Sequence, residues 1–495
     1  MPLVLALDQS TSTTKALLFD EKGRCLDTET RGHRQLYPRP GWVEHDAGEI
    51  WQNTLAVLRA LAARHDARRG DIACLGITNQ RETIVVFERG SGRPLRPAIV
   101  WSCRRGDALC AEHRKAGAEP LVHARTGLLL DAYFSASKIQ WLVRNDAGLR
   151  AKLARGDALI GTIDAYLVYR LTGGNVFATD PTNASRTLLF DITRLCWDDA
   201  LCALWDVPRA ALPEVRESKA GFGATTLGGA LAKPLPIRGV IGDSQAALFA
   251  QRCFAPGAAK ATFGTGSSLM LNIGREPRIS GRGIVTALAW VLDGQPVYAF
   301  EGIIISAAAT LSWLAGQLGI IGHAAQSEAI AASLDGNGGV YLVPAFSGLG
   351  FPRWQPAARA AITGLSGHSD RRHVVRAALE SISYQVRDVL DALRDEAGMP
   401  LRSLHCDGGP TSNRWLMQFT ADIAGVELRA ATMPCRSALG AVFMGLLGEK
   451  TYALPADLDR LPNEDICYSP IMSAANVQRC YSGWQNAVRQ TIPPA

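Results

Sequence analysis

The chain has 495 residues, of which 47% are hydrophobic and 20% are charged, and its formal net charge is +6. This length exceeds the ~250–300 residues at which a single hydrophobic core stops growing, so two domains are expected. The ordinary composition argues against disorder, and the small, scattered positive charge argues against nucleic-acid binding while suiting an anionic small molecule such as a nucleotide.

Three features of the sequence indicate the cellular compartment of the protein. The 11 cysteines include no C-x-x-C pair, which argues against a disulfide framework or a zinc site. The first apolar run has no basic segment before it and reaches Asp8 at once, unlike a secretory signal. Residues 302–322 carry no charge and are long enough to cross a bilayer, but their hydroxyl groups and glycines favour a buried helix. We therefore expect a cytoplasmic protein without a membrane span.

A β-hairpin with a hydroxyl-rich tip is predicted at the start of the chain. Apolar residues 3–7 lead into Asp8-Gln9-Ser10-Thr11-Ser12-Thr13-Thr14, and a second apolar run returns over residues 16–19. Successive N–H groups of such a tip can surround a phosphate, although an ordinary hairpin turn is the alternative. Asp8 either caps the turn or holds a magnesium ion through its waters.

A helix is predicted next. Asp46-Ala47-Gly48-Glu49 has the pattern of a capping box, and apolar residues from Trp51 to Leu61 are spaced for one helix face before Gly70.

Arg81 and Glu82 form a polar interruption between apolar runs. One side chain donates and the other accepts hydrogen bonds, so the pair can clamp a hydroxylated small molecule. A solvated pair on an edge strand is the alternative, because adjacent strand residues point to opposite faces unless the strand is irregular. Farther along, Trp101 and Tyr133 are either core aromatics or walls of a pocket.

Asp243 stands at a predicted strand-to-helix turn, with helix-forming residues 244–250 after it. A carboxylate at such a turn can act as a general base. The alternative is an ordinary N-cap, a position that favours Asp. Together with Arg81 and Glu82, Asp243 suggests a kinase for a polyol or a sugar.

The second half of the chain repeats the hairpin pattern. Residues 261–263 lead into Gly264-Thr265-Gly266-Ser267-Ser268 and return through residues 269–273. Two similar hairpins imply two related domains, and the Pro/Gly-containing stretch at residues 254–257 is a plausible junction.

The clearest predicted helix lies in the second half. Apolar residues from Val375 to Leu393 recur at steps of three and four, and Gly398 and Pro400 end the pattern. Strands alternating with helices indicate an α/β fold.

Several motifs, taken together, resemble the FGGY family of carbohydrate kinases along nearly the whole chain, and the glycerol kinases of that family most closely. The motifs are Ala6-Leu7-Asp8-Gln9, residues 40–46, residues 76–83, Ala98-Ile99-Val100-Trp101, Cys103-Arg104-Arg105, residues 182–187, Val343-Pro344-Ala345-Phe346, Leu379-Glu380-Ser381-Ile382 and Asp407-Gly408-Gly409.

The resemblance implies a pair of actin-like, ribonuclease-H-like α/β domains, residues 1–253 and 254–495, flanking a deep cleft for nucleotide and substrate. It implies ATP- and Mg²⁺-dependent phosphorylation of glycerol to sn-glycerol 3-phosphate by a homodimer or homotetramer. The implied partner is a small polyol, without nucleic acid or membrane.

Site residues follow from the same resemblance. Asp243 matches the catalytic base. The matches to the substrate-binding positions are Arg81, Glu82, Trp101, Tyr133, Asp243 and Ser244. The matches to the nucleotide-binding positions are Thr11, Ser12, Thr13, Lys15, Thr265, Ala308, Ser312, Gly409 and Asn413. Asp8 would hold magnesium through water.

Departures from the family pattern motivate two alternatives. Ser268 stands where glycerol kinases place a Phe, and Ser244 replaces a Gln, so the acceptor could be a tetritol, a pentitol or a pentulose. Ala308, Ser312 and Gln355 depart on the nucleotide side, which motivates a non-catalytic sugar- or nucleotide-binding protein. Lys15 replaces an Arg and keeps its charge.

Overall fold

Two large mixed β-sheets, one from each half of the chain, organise the fold. The computed structural model describes residues 2–355 and 357–492. The first large sheet has the strand order β14-β15-β6-β1-β2-β3, and the second has the order β18-β19-β17-β16-β22-β23-β24, with the bounds given below. Strands β4-β5-β8-β7-β9 form a smaller sheet beside the first.

The strands of the first half are β1 (Leu3–Gln9), β2 (Thr13–Asp20), β3 (Cys25–Gly32), β4 (Gln35–Leu36), β5 (Glu44–His45), β6 (Ile72–Asn79), β7 (Ile84–Glu88), β8 (Ala98–Ile99), β9 (Ala158–Thr162), β10 (Ala178–Thr179), β11 (Phe190–Asp191), β12 (Cys196–Trp197), β13 (Glu214–Val215), β14 (Gly221–Thr225) and β15 (Leu235–Gly242). Its helices are α1 (Ala47–Arg64), α2 (Asp107–Lys115), α3 (Glu119–Thr126), α4 (Ser135–Asn145), α5 (Ala147–Arg155), α6 (Ile163–Leu171), α7 (Pro181–Ala184), α8 (Asp199–Leu204) and α9 (Asp243–Ala250).

The strands of the second half are β16 (Ala258–Phe263), β17 (Ser267–Gly274), β18 (Val285–Leu292), β19 (Gln295–Ile304), β20 (Tyr341–Val343), β21 (Ala361–Thr363), β22 (Ser403–Asp407), β23 (Leu428–Ala430) and β24 (Ile466–Tyr468). Its helices are α10 (Ala308–Gly316), α11 (Gln326–Ala332), α12 (Arg371–Ala397), α13 (Arg414–Ala424), α14 (Arg436–Gly448), α15 (Pro455–Leu458) and α16 (Ala474–Thr491). Short 3₁₀ helices cover Asp66–Asp71, Arg209–Ala211 and Gly409–Ser412.

Both predicted hairpins are confirmed. Strands β1 and β2 pair antiparallel, as do β16 and β17. Strand β1 is buried along its whole length and pairs in parallel with β6, which in turn pairs in parallel with β15. Such strands are covered on both faces, which explains why they read as continuous apolar runs rather than alternating ones.

The helix predicted around residues 375–393 is confirmed as α12. It ends at Gly398, whose φ of 59° is the left-handed geometry that glycine adopts without a Cβ penalty. Helix α1 begins after Asp46, whose side chain accepts hydrogen bonds from Gly48 N and Glu49 N. Only this half of the predicted capping box forms, because the Glu49 carboxylate lies 3.4 Å from Arg34 Nε instead.

The uncharged stretch at residues 302–322 is not the single buried helix that its composition suggested. It contains the end of β19, the nine-residue helix α10 and turns. Within the described ranges, no helix combines the length and the apolar character needed to cross a membrane.

Helix α14 joins the two halves, because it comes from the second half and packs against the first sheet. A Cβ on Gly76 of β6 would lie 2.7 Å from the carbonyl oxygen of Ala441, and one on Gly239 of β15 would lie 2.6 Å from Gly445 N. On its other side, Gly440 contacts the Ala246 carbonyl group of α9 so closely that no Cβ fits. Helix α14 therefore sets the position of α9.

Candidate active site

The predicted acidic and basic residues meet at one edge of the first sheet. Asn79 is the last residue of β6, and it pairs with Gln9 of β1 on one side and Gly242 of β15 on the other. Asp8 precedes Gln9, and Asp243 follows Gly242. Because the carboxyl ends of parallel strands lie at the same edge of a sheet, these carboxylates and the turn after β6 come together there.

Arg81 and Glu82 lie where the backbone is irregular, between β6 and β7. Glu82 has a φ of 61°, which rotates its side chain out of the ordinary strand alternation. Arg81 Nε lies 3.9 Å from Glu82 Oε1 and 3.2 Å from Asp243 Oδ1. Both side chains are buried, so the alternative of a solvated surface pair is wrong.

A buried ion cluster surrounds this turn. Arg81 Nη2 lies 2.8 Å from Glu301 Oε1, and Arg186 lies 2.6 Å from both Glu82 Oε1 and Glu301 Oε2. The two guanidinium groups balance the two carboxylates. Burial acts to raise the pKa of Glu301, but Arg186 and Arg81 outweigh it and hold that pKa at about 2. Glu301 therefore stays ionised and keeps both arginines in place.

Two members of the cluster were not predicted as site residues. Arg186 belongs to the motif at residues 182–187, but its charge was not assigned a role. Glu301 lies on β19 of the second half, where it is an acidic residue within a buried strand. The sequence signal for Glu301 is a single acidic residue within an apolar strand, because a buried carboxylate needs a partner of opposite charge. The pairing itself joins the two halves of the chain.

Trp101 and Tyr133 form an aromatic wall beside the cluster. Their ring centroids are 5.4 Å apart, and Trp101 Nε1 donates a hydrogen bond to Thr11 Oγ1 at 3.0 Å. The loop that carries Tyr133 is held by the buried Lys138, whose Nζ donates to the carbonyl groups of Tyr133 at 2.7 Å and Phe134 at 3.0 Å. Trp101 and Tyr133 are both half-buried, so part of this wall is accessible to a ligand.

Asp243 is the first residue of α9 rather than its N-cap, which is Gly242. The capping interpretation is therefore wrong. Asp243 Oδ1 accepts a hydrogen bond from Ser244 N at 2.7 Å, and the side chain remains 38% exposed. A partly exposed carboxylate that is oriented by Arg81 can reach a ligand proton. Ser244 Oγ lies 3.5 Å from Ser268 Oγ of β17, across the junction of the two halves.

Asp8 lies opposite Lys15 in the first hairpin. Burial raises the pKa of Asp8 to about 6; the charge of Asp243 adds to the rise, and Lys15 opposes it. Two carboxylates close to one another fit a hard divalent cation, which prefers oxygen ligands. Residues 2–355 and 357–492 contain no group of three or more His, Cys, Asp or Glu side chains placed to hold a metal. A magnesium ion that arrives on nucleotide phosphates needs only one or two carboxylates.

The tips of the two hairpins differ in how they are supported. Ser12 and Thr265 are exposed at the first and second tips, respectively. Thr11 of the first tip accepts from Trp101, as described above, and Thr13 Oγ1 lies 2.9 Å from Ser10 Oγ. At the second tip, the Thr265 carbonyl group accepts from Ala307 N at 2.8 Å, which attaches the tip to the start of α10.

The residues predicted for the nucleotide side surround the second hairpin. Ala308 and Ser312 lie on consecutive turns of α10, directly after the hairpin contact. Gly409 begins the 3₁₀ helix after β22, and Asn413 is the N-cap of α13. Strands β22 and β16 are parallel, so their carboxyl ends share an edge, and Gly408 approaches the Phe263 carbonyl group too closely for a Cβ.

The profile of the N-terminal domain of the FGGY family of carbohydrate kinases matches residues 3–250, and that of the C-terminal domain matches residues 259–448. This chain belongs to the FGGY family of carbohydrate kinases. The predicted α/β fold class with two kinase domains and the predicted phosphotransferase activity are thereby confirmed.

Full-length relatives of this FGGY kinase support the same assignment. A glycerol kinase of Desulfitobacterium hafniense is 44% identical over 489 residues, covering 99% of each chain. Glycerol kinase 1 of Thermotoga maritima is 45% identical over 489 residues, again covering 99% of each chain. The crystal structure of Plasmodium falciparum glycerol kinase with ADP superposes with a TM-score of 0.94 at 35% identity, covering 100% of this chain and 99% of that one.

Proposed function

We propose that this FGGY kinase transfers the γ-phosphoryl group of ATP to glycerol, forming sn-glycerol 3-phosphate and ADP. The observation that carries the proposal is the 3.2 Å contact between Arg81 Nε and Asp243 Oδ1, which joins a residue of the proposed polyol clamp to a partly exposed carboxylate. The full-length similarity to glycerol kinases supports glycerol as the acceptor.

Arg81, Glu82 and Tyr133 would bind the hydroxyl groups of glycerol. Arg81 only donates hydrogen bonds, the Glu82 carboxylate only accepts them, and the Tyr133 hydroxyl group does both, so the three can satisfy adjacent alcohols. Burial raises the pKa of Tyr133 well above its usual value, so its hydroxyl group keeps its proton. Trp101 would pack against the carbon chain.

Asp243 would take the proton from the attacking hydroxyl group. Arg81 orients one oxygen of this carboxylate, and Ser244 N donates to the same oxygen, which leaves the second oxygen for the acceptor alcohol. The proton moves to Asp243 as the O–P bond forms and the bond to the ADP oxygen breaks.

Thr11, Ser12, Thr13, Lys15 and Thr265 would surround the phosphates of ATP, and Ala308, Ser312, Gly409 and Asn413 would lie against its adenosine part. Bound Mg²⁺ supplies charge neutralisation on the phosphates, and Asp8 would hold it through water. The exposed residues Ser12 and Thr265 could donate backbone and hydroxyl hydrogen bonds to phosphate.

The division at residues 253 and 254, the cytoplasmic location and the homo-oligomer stay predictions. The oligomer can be tested by light scattering with size-exclusion chromatography.

The proposal is tested by following ADP release from MgATP with and without glycerol. We expect glycerol-dependent turnover that Asp243→Asn reduces on the order of 100-fold or more, as loss of a general base does, while glycerol binding is retained. The matched control is Asp199→Asn, at an exposed residue of α8 that pairs with Arg209. Binding of both ligands without ADP release in the wild-type protein would instead identify a non-catalytic binder.

A further inference from the structure

A row of polar side chains lies on one face of the second sheet, directly across from Asp243. Thr262 of β16 pairs with Ser268 of β17, and Lys260 lies two residues before Thr262 on the same strand. Because side chains alternate along a strand and directly paired residues share a face, these three side chains lie on the same face of the sheet. This face of the otherwise hydrophobic strand β16 is therefore polar at its carboxyl end.

Lys260 is fully buried within this row. Its Nζ donates to Thr262 Oγ1 at 3.0 Å and lies 3.4 Å from Ser268 Oγ. An ammonium group has three donors and no acceptor, so the oxygen of Ser268 must accept in this contact. The hydrogen of the Ser268 hydroxyl group then points away from Lys260, and either serine can be the donor in the contact between the two hydroxyl groups.

The two serine hydroxyl groups do not satisfy each other well. Their oxygens are 3.5 Å apart, at the outer limit of a hydrogen bond, and both side chains are only partly buried. Ser244 follows Asp243 directly and donates its backbone N–H to that carboxylate. Polar contacts therefore connect the proposed base to Ser268 and, through it, to Lys260. An oxygen atom of a ligand can accept from Ser268 and donate to Ser244.

The charges around Lys260 favour a neutral ligand. Burial lowers the pKa of Lys260 and Arg81 adds to this fall, whereas the carboxylates of Asp407, Glu301 and Asp243 oppose it and would repel an anionic ligand. Trp101 and Tyr133 form the aromatic wall of the proposed acceptor pocket, on the side of Arg81. A ligand could pack its carbons on this wall and present an additional hydroxyl or carbonyl oxygen to the serines.

We propose that Ser244 and Ser268, backed by Lys260, form an additional oxygen-binding subsite that admits neutral four- and five-carbon polyols or ketoses besides glycerol. The inference rests on the proposed function, since it places the subsite beside the acceptor clamp and the base of that reaction. Ser268 and Ser244 are specificity-determining residues, and Lys260 is a positioning residue that orients the Ser268 hydroxyl group.

The experiment compares kcat/KM for glycerol, erythritol, ribitol, xylitol and D-xylulose in the wild-type enzyme and in three variants. Ser268→Ala removes the hydroxyl group, Ser268→Phe also fills the space, and Ser267→Ala is the matched control. Ser267 is the neighbouring buried serine whose Oγ has no hydrogen-bond partner among the described residues.

We expect turnover of at least one longer acceptor. Its kcat/KM relative to that of glycerol should fall 10-fold or more in Ser268→Ala and further in Ser268→Phe, as loss of a pocket contact does. Ser267→Ala should keep the wild-type ratio. Circular dichroism and thermal melting establish whether each variant folds, and Ser268→Ala decides the question alone if Ser268→Phe does not fold.

The outcomes separate this inference from the proposed function. Turnover of glycerol but of none of the longer acceptors would overturn the subsite and leave glycerol phosphorylation standing. An unchanged ratio in both Ser268 variants would also overturn the subsite. Turnover of a longer acceptor alone, lost in Ser268→Ala, would support the subsite and overturn glycerol as the substrate. Silence with all five acceptors would overturn both.

Discussion

Trp101 Nε1 donates a hydrogen bond to Thr11 Oγ1 at 3.0 Å, which connects the aromatic wall of the proposed polyol pocket to the first hairpin tip. The two residues are 90 positions apart in the chain and approach from different elements. A side chain expected to contact the acceptor thus also orients a loop expected to contact phosphate.

This bond predicts that the two binding sites are coupled. Trp101→Phe keeps an aromatic wall but removes the donor, and Thr11→Val keeps the shape but removes the acceptor. Each change should raise the KM for MgATP roughly 3- to 10-fold, because a hydrogen bond of this kind contributes about 1 kcal/mol. In the double variant, the free-energy change calculated from KM for MgATP should be much smaller than the sum of the two single changes. Full additivity of these free energies would contradict the coupling.

Loss of Glu301 should be costly because it leaves the fully buried Arg186 with Glu82 alone, and Arg81 with Glu82 and the partly exposed Asp243. We expect Glu301→Gln to lower the free energy of unfolding by about 3–5 kcal/mol, measured by urea denaturation. The double variant Arg186→Met with Glu301→Leu should be less destabilised than the single change, since it buries no unpaired charge. The exposed pair of Arg209 and Asp199 is the control, and Asp199→Asn should cost under about 1 kcal/mol.

The raised pKa of Asp8 predicts a pH-dependent stability in metal-free solution. Its folded-state pKa of about 6 exceeds the usual value near 4, so the folded protein binds more protons than the unfolded chain between these values. The ionised carboxylate therefore destabilises the fold above pH 6, and this cost disappears as the pH falls toward 4.

Asp8→Asn should accordingly be more stable than the wild type at pH 7–8 in EDTA, by up to about 2–3 kcal/mol, and about equal to it near pH 4. Thermal melts across this range provide the measurement. The same variant should lose most of its Mg²⁺-dependent turnover. A stability difference that does not change with pH would show that Asp8 is not the titrating group.

The contact between α14 and α9 predicts that a single methyl group far from the ligands reduces activity. Gly440→Ala would force the Ala246 backbone, and with it the helix that begins at Asp243, to shift. We expect a loss of stability of about 1–3 kcal/mol, typical of overpacking, together with a fall in kcat. Gly148→Ala in α5 is the matched control, because its Cβ would have only an ordinary contact and should be neutral or stabilising.

Several features could be predicted from short segments because local physical rules determine them. The apolar runs that end at Asp8 and before Asp243 indicated strands, and the steps of three and four from Val375 to Leu393 indicated α12. The backbone at Arg81 and Glu82 is irregular, as the pair requires if both side chains are to reach one ligand, since Glu82 has a positive φ. At residues 302–322 the helix was predicted from the length of an uncharged stretch rather than from a periodic pattern, and the prediction of one buried helix was wrong.

The sequence by itself determined the two hairpins, the main helices, the family and the strand ends at which the candidate site lies. Only the tertiary structure decided that Glu301 of the second half pairs with Arg81 and Arg186 of the first, that α14 packs against both the first sheet and α9, and that Lys260 contacts Ser268. The physical reason is the distance along the chain over which each kind of interaction acts. Periodicity and turn chemistry act over a few residues, whereas buried charges and close backbone contacts select partners that only the packing of the whole chain brings together.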